Sequence, residues 1–324
     1  MGSRSLPRVR ASYNEAISQS ADQQMLLNIV RLRYLHSTTF LQLGSVVTQY
    51  SLTADIGASG SYNPGAGGGP LPLGSVGGAA GVAVTERPTI TYVPLQGEQF
   101  VRQVATPLRA EQVLMLIQSG WGADLVLTTC VRRINGVYAP RGSSREQDRD
   151  YLRLADLLYS LQRSHQLTVY GSERGPVVSV RPPGEELSAD AIEALALLGL
   201  SPDLGPYPVV EPTAEPLPGT IAVEGRSVLG TMFYLAEGVD TPAGDPAAWG
   251  VGGAEPRSPP RLRVRSVRRQ PQDAYVAVRY RERWFYVDES DRESKRAFAL
   301  LMFLFNLTAA SHTNSPLLTV GTGG

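Results

Sequence analysis

The residues from 50 to 62 alternate between apolar and polar side chains almost without error. The even positions are apolar or small: Tyr50, Leu52, Ala54, Ile56, Ala58, Gly60 and Tyr62. The odd positions are small and mostly polar: Ser51, Thr53, Asp55, Gly57, Ser59 and Ser61. Successive side chains of a β-strand point to opposite faces, so this pattern predicts a strand with one apolar face. A tyrosine ends that face on each side, and a carboxylate lies near the middle of the other face.

A second, weaker alternating run follows the glycine- and proline-rich loop at residues 63–78 and ends at Val93. One face of this run carries Gly78, Ala80, Val82 and Val84, and the other carries Ala79, Gly81, Ala83 and Thr85. Two such runs joined by turn-forming residues predict a β-hairpin. The loop lacks the lysine and the Ser/Thr of a phosphate-binding loop, so that function is not expected.

This predicted hairpin has the pattern of a membrane-spanning strand pair. Such strands have about ten residues that alternate apolar-outward and polar-inward, with aromatic rings at both interfaces. Two other interpretations are an ordinary hairpin of a soluble sheet and a glycine-rich arm that orders on binding a neighbour. The small side chains and the bracketing tyrosines favour the membrane. Glu86, Arg87 and Pro88 interrupt the apolar stripe, so we expect the chain to leave the membrane there.

Helical and strand-like patterns alternate along the rest of the chain. Apolar residues at helical spacing predict helices at residues 13–35, 107–120, 123–134, 144–165, 188–198, 225–237 and 290–307, the last opened by a Ser290/Glu293 capping box. Short apolar runs predict strands at residues 167–170, 177–180, 262–267, 275–280, 284–287 and 316–320. Residues 201–219, with six prolines, and residues 241–260 are expected to be loops or linkers.

The predicted fold class is therefore α+β, a mixed helical and β periplasmic domain with an inserted long amphipathic β-hairpin that joins an oligomeric transmembrane β-barrel. Changes of pattern along the chain suggest five regions. They are an N-terminal helix and lead-in (1–45), the hairpin (46–94), a helical and α/β region (95–200), a Pro/Gly-rich linker with a short helix (201–260), and C-terminal strands, helix and tail (261–324).

Composition restricts the chemistry. Thirty basic and thirty acidic residues balance, which argues against a nucleic-acid partner. Cys130 is the only cysteine, which excludes an internal disulfide, and its apolar neighbours predict a small buried side chain. No spacing of His, Asp or Glu suggests a metal site, and no catalytic constellation is visible. We expect no cofactor and no enzymatic activity.

The longest apolar stretch, residues 297–307, is too short for a transmembrane helix.

Arg261, Arg263 and Arg265 belong to the densest basic cluster of the chain. On a strand these three side chains share one face. They form either a solvated sheet face, a contact with an acidic neighbouring subunit, or an anionic-lipid or nucleic-acid contact. Asp288 and Glu289 follow soon after, so the five residues are candidate subunit contacts.

Three segments carry a resemblance to a known group of proteins. They are NIVRLRY at residues 28–34, ERPTITY with PLQG at residues 86–97, and ESKRAFALL at residues 293–301. Together they resemble an uncharacterised family of proteobacterial envelope (outer-membrane) lipoproteins, and the likeness covers both ends and much of the middle. Members usually begin with a lipoprotein signal, which is not visible in this chain. The resemblance implies a location in the outer membrane with a periplasmic domain, and it supplies no activity that can be transferred to this chain.

A single hairpin cannot close a barrel, and a bilayer does not tolerate open sheet edges. We therefore expect an oligomeric outer-membrane pore or export-channel component. It would be a homo-oligomeric ring that contacts outer-membrane lipid and other envelope or export-machinery proteins. The alternative is a soluble envelope scaffold that uses the hairpin for sheet augmentation. The expected lumen-facing residues are Ser51, Thr53, Asp55, Ser59 and Thr85, and the expected lipid-facing residues are Tyr50, Leu52, Ile56, Tyr62, Val82 and Val84.

Overall fold

The computed structural model describes residues 6–59, 77–140, 145–173, 175–181, 186–213, 217–241 and 260–309. The chain divides into two compact units, which are a hairpin unit, Phe40–Leu95, and a larger unit made of Met1–Thr39 and Gln96–Gly324. Helices and strands are interspersed, so the fold is mixed α+β, as predicted. None of the helices in these ranges combines the length and the apolar character that a membrane crossing needs.

Eight α-helices lie in the described ranges. They are α1 (Leu6–Arg33), α2 (Gly97–Phe100), α3 (Ala110–Gln118), α4 (Ala123–Cys130), α5 (Arg145–Arg163), α6 (Ala189–Leu197), α7 (Val228–Ala236) and α8 (Arg292–Ala309). A π-helical turn, Val101–Ala105, continues α2, and a 3₁₀ turn spans Pro202–Leu204. After α1, Leu35 adopts a left-handed conformation and the His36 amide donates to the Arg31 carbonyl, which is the bonding pattern of a Schellman motif.

The strands form three separate sheets within the described chain. They are β1 (Leu41–Ser59), β2 (Gly77–Pro94), β3 (Val131–Ile134), β4 (Val137–Tyr138), β5 (Thr168–Ser172), β6 (Gly175–Ser179), β7 (Tyr207–Val210), β8 (Ile221–Gly225), β9 (Arg265–Val267), β10 (Ala274–Tyr280) and β11 (Arg283–Asp288). The hairpin unit pairs β1 with β2, and the larger unit contains a sheet of order β10-β11-β9 and one of order β4-β3-β8-β7-β6-β5. The β7–β8 pair is parallel and the other pairs are antiparallel.

Helix α5 supplies a large part of the core of the larger unit, where it packs against α4 and α6. Its buried stripe consists of Tyr151, Leu154, Leu157, Leu158 and Leu161, at the spacing that predicts the helix. The Tyr151 hydroxyl donates to the carbonyls of Leu127 and Val131, at 2.8 and 3.1 Å. This side chain therefore ties α5 to the junction of α4 and β3.

The structure corrects two predicted helices. The helix predicted from Pro107 begins only at Ala110, and Pro107 instead forms an isolated β-bridge with Ser227. The helix predicted at residues 123–134 ends at Cys130, and Val131–Ile134 is strand β3. Asn135, with φ of 48°, starts the two-residue turn to β4. Asn-Gly between two β-branched runs is a hairpin signal, which the prediction of a helix end overlooked.

The proline-rich stretch at residues 201–219, predicted as a loop or linker, contains strand β7 in the interior of the six-stranded sheet. Tyr207 and Val209 are buried, whereas Pro208 between them is exposed. Strand β8, which the prediction also missed, lies next to it. These short strands obtain their hydrogen bonds from other segments of the chain. The composition of residues 201–219 does not show those partners, and by itself it indicated a loop.

The other predicted elements of the larger unit agree better with the structure. Strands β5, β6, β9, β10 and β11 lie within three residues of their predicted bounds, as do helices α6 and α7. Helix α8 is also present, but its predicted cap is wrong. Asp291 accepts from the Ser294 amide at 3.1 Å, whereas Ser290 donates to Asp288. The predicted strand at residues 316–320 lies outside the described residues.

The Arg226 side chain caps the C-terminal end of α4. Its guanidinium donates to the carbonyls of Thr128 and Thr129, at 2.8 and 3.0 Å, and lies over the ring of Tyr234 with its central carbon 4.6 Å from the ring centroid. A cation at this end of a helix compensates carbonyls that have no partner within the helix. Cys130, the last residue of α4, is fully buried as predicted, and burial raises the pKa of its thiol to about 12.

We expect Arg226→Ala to lower the free energy of unfolding by about 2–3 kcal/mol, because two charge-assisted hydrogen bonds to the carbonyls of the buried residues Thr128 and Thr129 are lost. Urea unfolding followed by circular dichroism measures this change. Arg149→Ala, at an exposed position of α5, is the matched control and should stay within about 0.5 kcal/mol of the wild type. Equal effects of the two substitutions would show that Arg226 does not hold the end of α4.

Candidate functional site

The hairpin unit is the longest regular feature of the described chain. Strand β1 has 19 residues and β2 has 18, and they pair antiparallel from Leu41↔Pro94 to Ser59↔Gly77. At a rise of about 3.3 Å per residue the ribbon is roughly 60 Å long. That length is about twice the hydrocarbon thickness of a bilayer, which is about 30 Å.

The tip segment of the ribbon comprises the ten pairs from Tyr50↔Glu86 to Ser59↔Gly77. Its register places Leu52 opposite Val84 and Ala54 opposite Val82. Residues directly opposite each other in an antiparallel pair occupy the same face. Most apolar positions of the two strands therefore share one face, with Glu86 as the charged exception. The small positions, which are polar mainly on β1, share the other face. Ten residues are also the length that a tilted transmembrane strand requires.

The root segment comprises the eight pairs from Leu41↔Pro94 to Gln49↔Arg87. An irregularity between Leu43 and Ser45 shifts the register by one residue. Because the side-chain period of a strand is two, one extra residue moves the positions before it to the other face. The shift brings Leu43 opposite Tyr92, so Leu41 and Leu43 lie on the same face as Val46 and Tyr50. Thr48 and Glu86 interrupt the apolar positions of that face. Three apolar side chains in this segment are exposed, Leu41 by 41%, Tyr92 by 44% and Val93 by 49%.

The two ends of the hairpin unit meet at a hydrogen bond. The Leu95 amide donates to the Phe40 carbonyl at 2.8 Å, and both side chains are buried. In the larger unit, Asn28 of α1 holds the residue directly before Phe40. Its side-chain amide donates to the Thr39 carbonyl at 2.8 Å and accepts from the Thr39 amide at 3.0 Å. Asn28 is completely buried. Its position among the apolar residues of α1 was the sequence signal that could have indicated a structural role for this side chain.

The structure brings most of the predicted pore residues into one paired ribbon. Ser51 pairs with Thr85, both predicted to face a lumen, and Leu52 pairs with Val84, both predicted to face lipid. Asp55 lies opposite Gly81 and Ile56 lies opposite Ala80. Tyr62 and the loop at residues 63–76 lie outside the described residues. The facing of these side chains toward lumen or lipid stays a prediction.

The five predicted subunit contacts do not form one cluster of ion pairs. Arg261 lies 3.5 Å from Asp124 of α4, while Arg265 lies 2.9 Å from Asp288. Glu289 pairs with Lys295. Hydrogen bonds from Ser290 and the charge of Arg265 lower the pKa of Asp288. Arg261, Arg265, Asp288 and Glu289 thus have partners within the chain, and the role of the five residues at a subunit interface stays a prediction.

A polar cleft of about 440 Å³ in the larger unit has no counterpart in the sequence analysis. Its lining combines basic, acidic and small residues: Arg33, Glu237, Gly238, Val239, Asp240, Thr241, Pro260, Arg263 and Arg265. Glu237 and Asp240 reach solvent, yet the surrounding protein removes part of their hydration and raises the pKa of each. The lining comes from three distant segments, so no local motif could have revealed it.

The cleft can contact a polar or charged molecule, but nothing in its geometry selects one. Across the described ranges, no group of three or more His, Cys, Asp or Glu side chains is arranged to hold a metal ion. The hairpin, with its aligned faces and its exposed apolar residues, is therefore the stronger candidate.

Comparison with protein-family models, with curated proteins and with solved structures finds no match. The family suggested by the three segments therefore stays a prediction, and function has to be argued from the chain itself.

Proposed function

We propose that this protein is a subunit of an oligomeric outer-membrane pore or export channel. Each copy would contribute its hairpin to a shared β-barrel. The larger units would then form a ring on the periplasmic side. The observation that carries this proposal is the register of the tip segment, which places Leu52, Ala54 and Ile56 opposite Val84, Val82 and Ala80 on one face.

The hairpin also needs neighbours for its backbone. In the described chain the sheet of β1 and β2 has only these two strands, so each strand has one edge with no strand beside it. Unpaired amides and carbonyls are costly in hydrocarbon, since no water is present to bind them. A ring in which β1 of one copy pairs with β2 of the next removes every edge. The barrel would then contain two strands per subunit.

The dimensions separate the ribbon into two parts with different roles. The tip segment would cross the bilayer, while the root segment would continue the barrel outside it. Glu86 and Arg87 lie at the boundary, opposite Tyr50 and Gln49. A charged pair and an amphipathic ring at this level fit a membrane–water interface. The root segment carries polar positions such as Gln42, Gln49, Thr89 and Thr91, which water tolerates.

The second candidate function is a soluble envelope scaffold in which the open edges of β1 and β2 augment the sheet of a partner. The polar positions of the root segment favour it, because water can solvate these side chains and no lipid is needed to cover them. This candidate requires oligomerisation without lipid.

Electron microscopy of the protein purified once with detergent and once without it tests the proposal. We expect rings with a detergent belt around a β-barrel, and the subunit count then gives the number of strands. Stable soluble particles without a belt would instead support the scaffold.

A hairpin-deleted variant is the control for this experiment. Replacing residues 41–94 with two glycines leaves Phe40-Gly-Gly-Leu95, a four-residue segment that a β-turn closes with the same Leu95-to-Phe40 hydrogen bond. The larger unit should keep its helical circular dichroism and should stay soluble without detergent. A detergent belt on this variant would show that another surface binds the membrane.

A further inference from the structure

Asp55 is the single charged residue in a long uncharged stretch. From residue 51 to residue 85 the chain contains no other Asp, Glu, Lys, Arg or His, whereas 19% of all residues are charged. Charged residues inside a membrane are expensive and are retained where they line a pathway or a polar cavity. The retention of one carboxylate in this stretch therefore needs a functional reason.

In this register, the positions that neighbour Asp55 on its own hairpin carry no basic residue. Asp55 lies opposite Gly81, and the pairs two positions away on the same face are Thr53↔Ala83 and Gly57↔Ala79. All of these neighbours are small and uncharged. The nearest basic residue on that face is Arg87, which pairs with Gln49 in the root segment.

Arg87 is too far along the ribbon to neutralise Asp55. Gln49 precedes Asp55 by six residues, which corresponds to roughly 20 Å along a strand. The screening length at physiological ionic strength is about 8 Å, so Arg87 at a water-filled mouth has little influence at that depth. Asp55 would therefore dominate the field inside the bilayer-spanning part.

In a ring, symmetry repeats this carboxylate at one height. Neighbouring copies differ by two strands, which separates equivalent positions by roughly 10 Å. Repulsion between two carboxylates across that distance in water is weaker than thermal energy, and salt screens it further. A ring of like charges surrounded by low-dielectric walls concentrates counter-ions.

We propose that Asp55 forms a carboxylate ring that makes the pore selective for cations over anions. This inference rests on the proposed function. Its substrate class is small cations and positively charged solutes.

Reversal potentials in planar bilayers under a KCl gradient test the inference with the full-length protein. We expect the wild type to prefer K⁺ over Cl⁻, and Asp55→Asn to reduce the permeability ratio roughly tenfold, the lower end of the effect of a focused field. Asp55→Glu should keep the preference. Glu86→Gln, which also removes one carboxylate per copy but at an even position, should leave it unchanged.

Chemical modification of assembled channels provides a second test. In Asp55→Cys channels, a sulfonatoethyl methanethiosulfonate adds a negative group and should restore the cation preference, whereas a trimethylammonium reagent should reverse it. Cys130, the native cysteine, is fully buried and its thiol pKa is raised to about 12, so the wild type serves as an unreactive control.

The outcomes separate the two proposals. A wild type that forms no conducting channels overturns the proposed function. Wild-type channels that prefer anions or neither ion overturn the role of Asp55 and leave the pore in place. Unchanged selectivity of the Asp55→Cys channels after both reagents also overturns the role of Asp55, provided that mass spectrometry verifies the thiol modification. The first two outcomes need only the wild type, so they overturn a proposal even where the variants do not assemble.

Discussion

Replacing Ile56 with arginine is expected to abolish membrane insertion, whereas replacing Thr53 with arginine should leave insertion intact. The two positions lie three residues apart in the tip segment of β1, and the alternation places them on opposite faces. An arginine that faces lipid near the bilayer midplane costs roughly 2–4 kcal/mol. That cost corresponds to about one and a half to three orders of magnitude in the insertion equilibrium for each copy.

The ring multiplies this penalty, since every subunit carries the same substitution. An arginine at Thr53 would face an aqueous lumen and would keep its hydration, so its cost is small. Flotation of liposomes after reconstitution measures the inserted fraction directly. Insertion of the Ile56→Arg protein with loss of insertion for Thr53→Arg would reverse the assignment of the faces. Insertion of both proteins would show that the hairpin does not contact lipid.

Removal of the Asn28 side chain is expected to produce the second large effect. Asn28→Ala should lower the free energy of unfolding by about 2–4 kcal/mol, because two hydrogen bonds are lost and the amide and carbonyl of Thr39 are left without these partners. Asn14→Ala changes an exposed asparagine of the same helix and should cost less than about 1 kcal/mol. Urea unfolding measures both.

Hydrogen exchange distinguishes a local role of Asn28 from a general one. If the Asn28 side chain fixes the backbone of Thr39, hydrogen exchange at the Thr39 amide should be faster in Asn28→Ala. This should hold even under conditions that favour the folded protein. Unchanged protection of Thr39 would mean that neighbouring packing, not this pair of hydrogen bonds, positions the residue. The comparison matters for function because Thr39 directly precedes the hairpin unit.

Helix α5 and strands β5 and β6 show where pattern reading succeeds. The apolar stripe of α5 recurs over about three turns, so this helix has a face that its own sequence defines. Strands β5 and β6 are neighbours in the chain and pair with each other from Thr168↔Ser179 to Ser172↔Gly175. Local hydrogen bonds and a nearby partner are enough to select these structures. The tertiary fold then only has to cover faces that the sequence already makes apolar.

Strand β7 shows the opposite case. Four residues with a proline among them do not select a strand locally, and the prediction of a linker was wrong. In the folded chain β7 obtains its partners from β6 and β8, and the parallel β7–β8 pairing cannot be inferred from either segment alone. Strand β3 is similar, since Val131–Ile134 continues the apolar pattern of α4 and changes to a strand where β8 pairs with it.

The candidate site divides in the same way. Three features follow from the sequence, because neighbouring residues determine the faces of a strand and the polarity of a segment. They are the alternation of residues 50–62, the near absence of charge between residues 51 and 85, and the burial of Cys130. The tertiary structure was needed to find four other features. They are the pairing of the apolar positions of the two strands, the register shift between Leu43 and Ser45, the hydrogen bonds between Asn28 and Thr39, and the polar cleft. These features depend on pairings between residues far apart in the chain, and no local pattern of polarity specifies such a pairing.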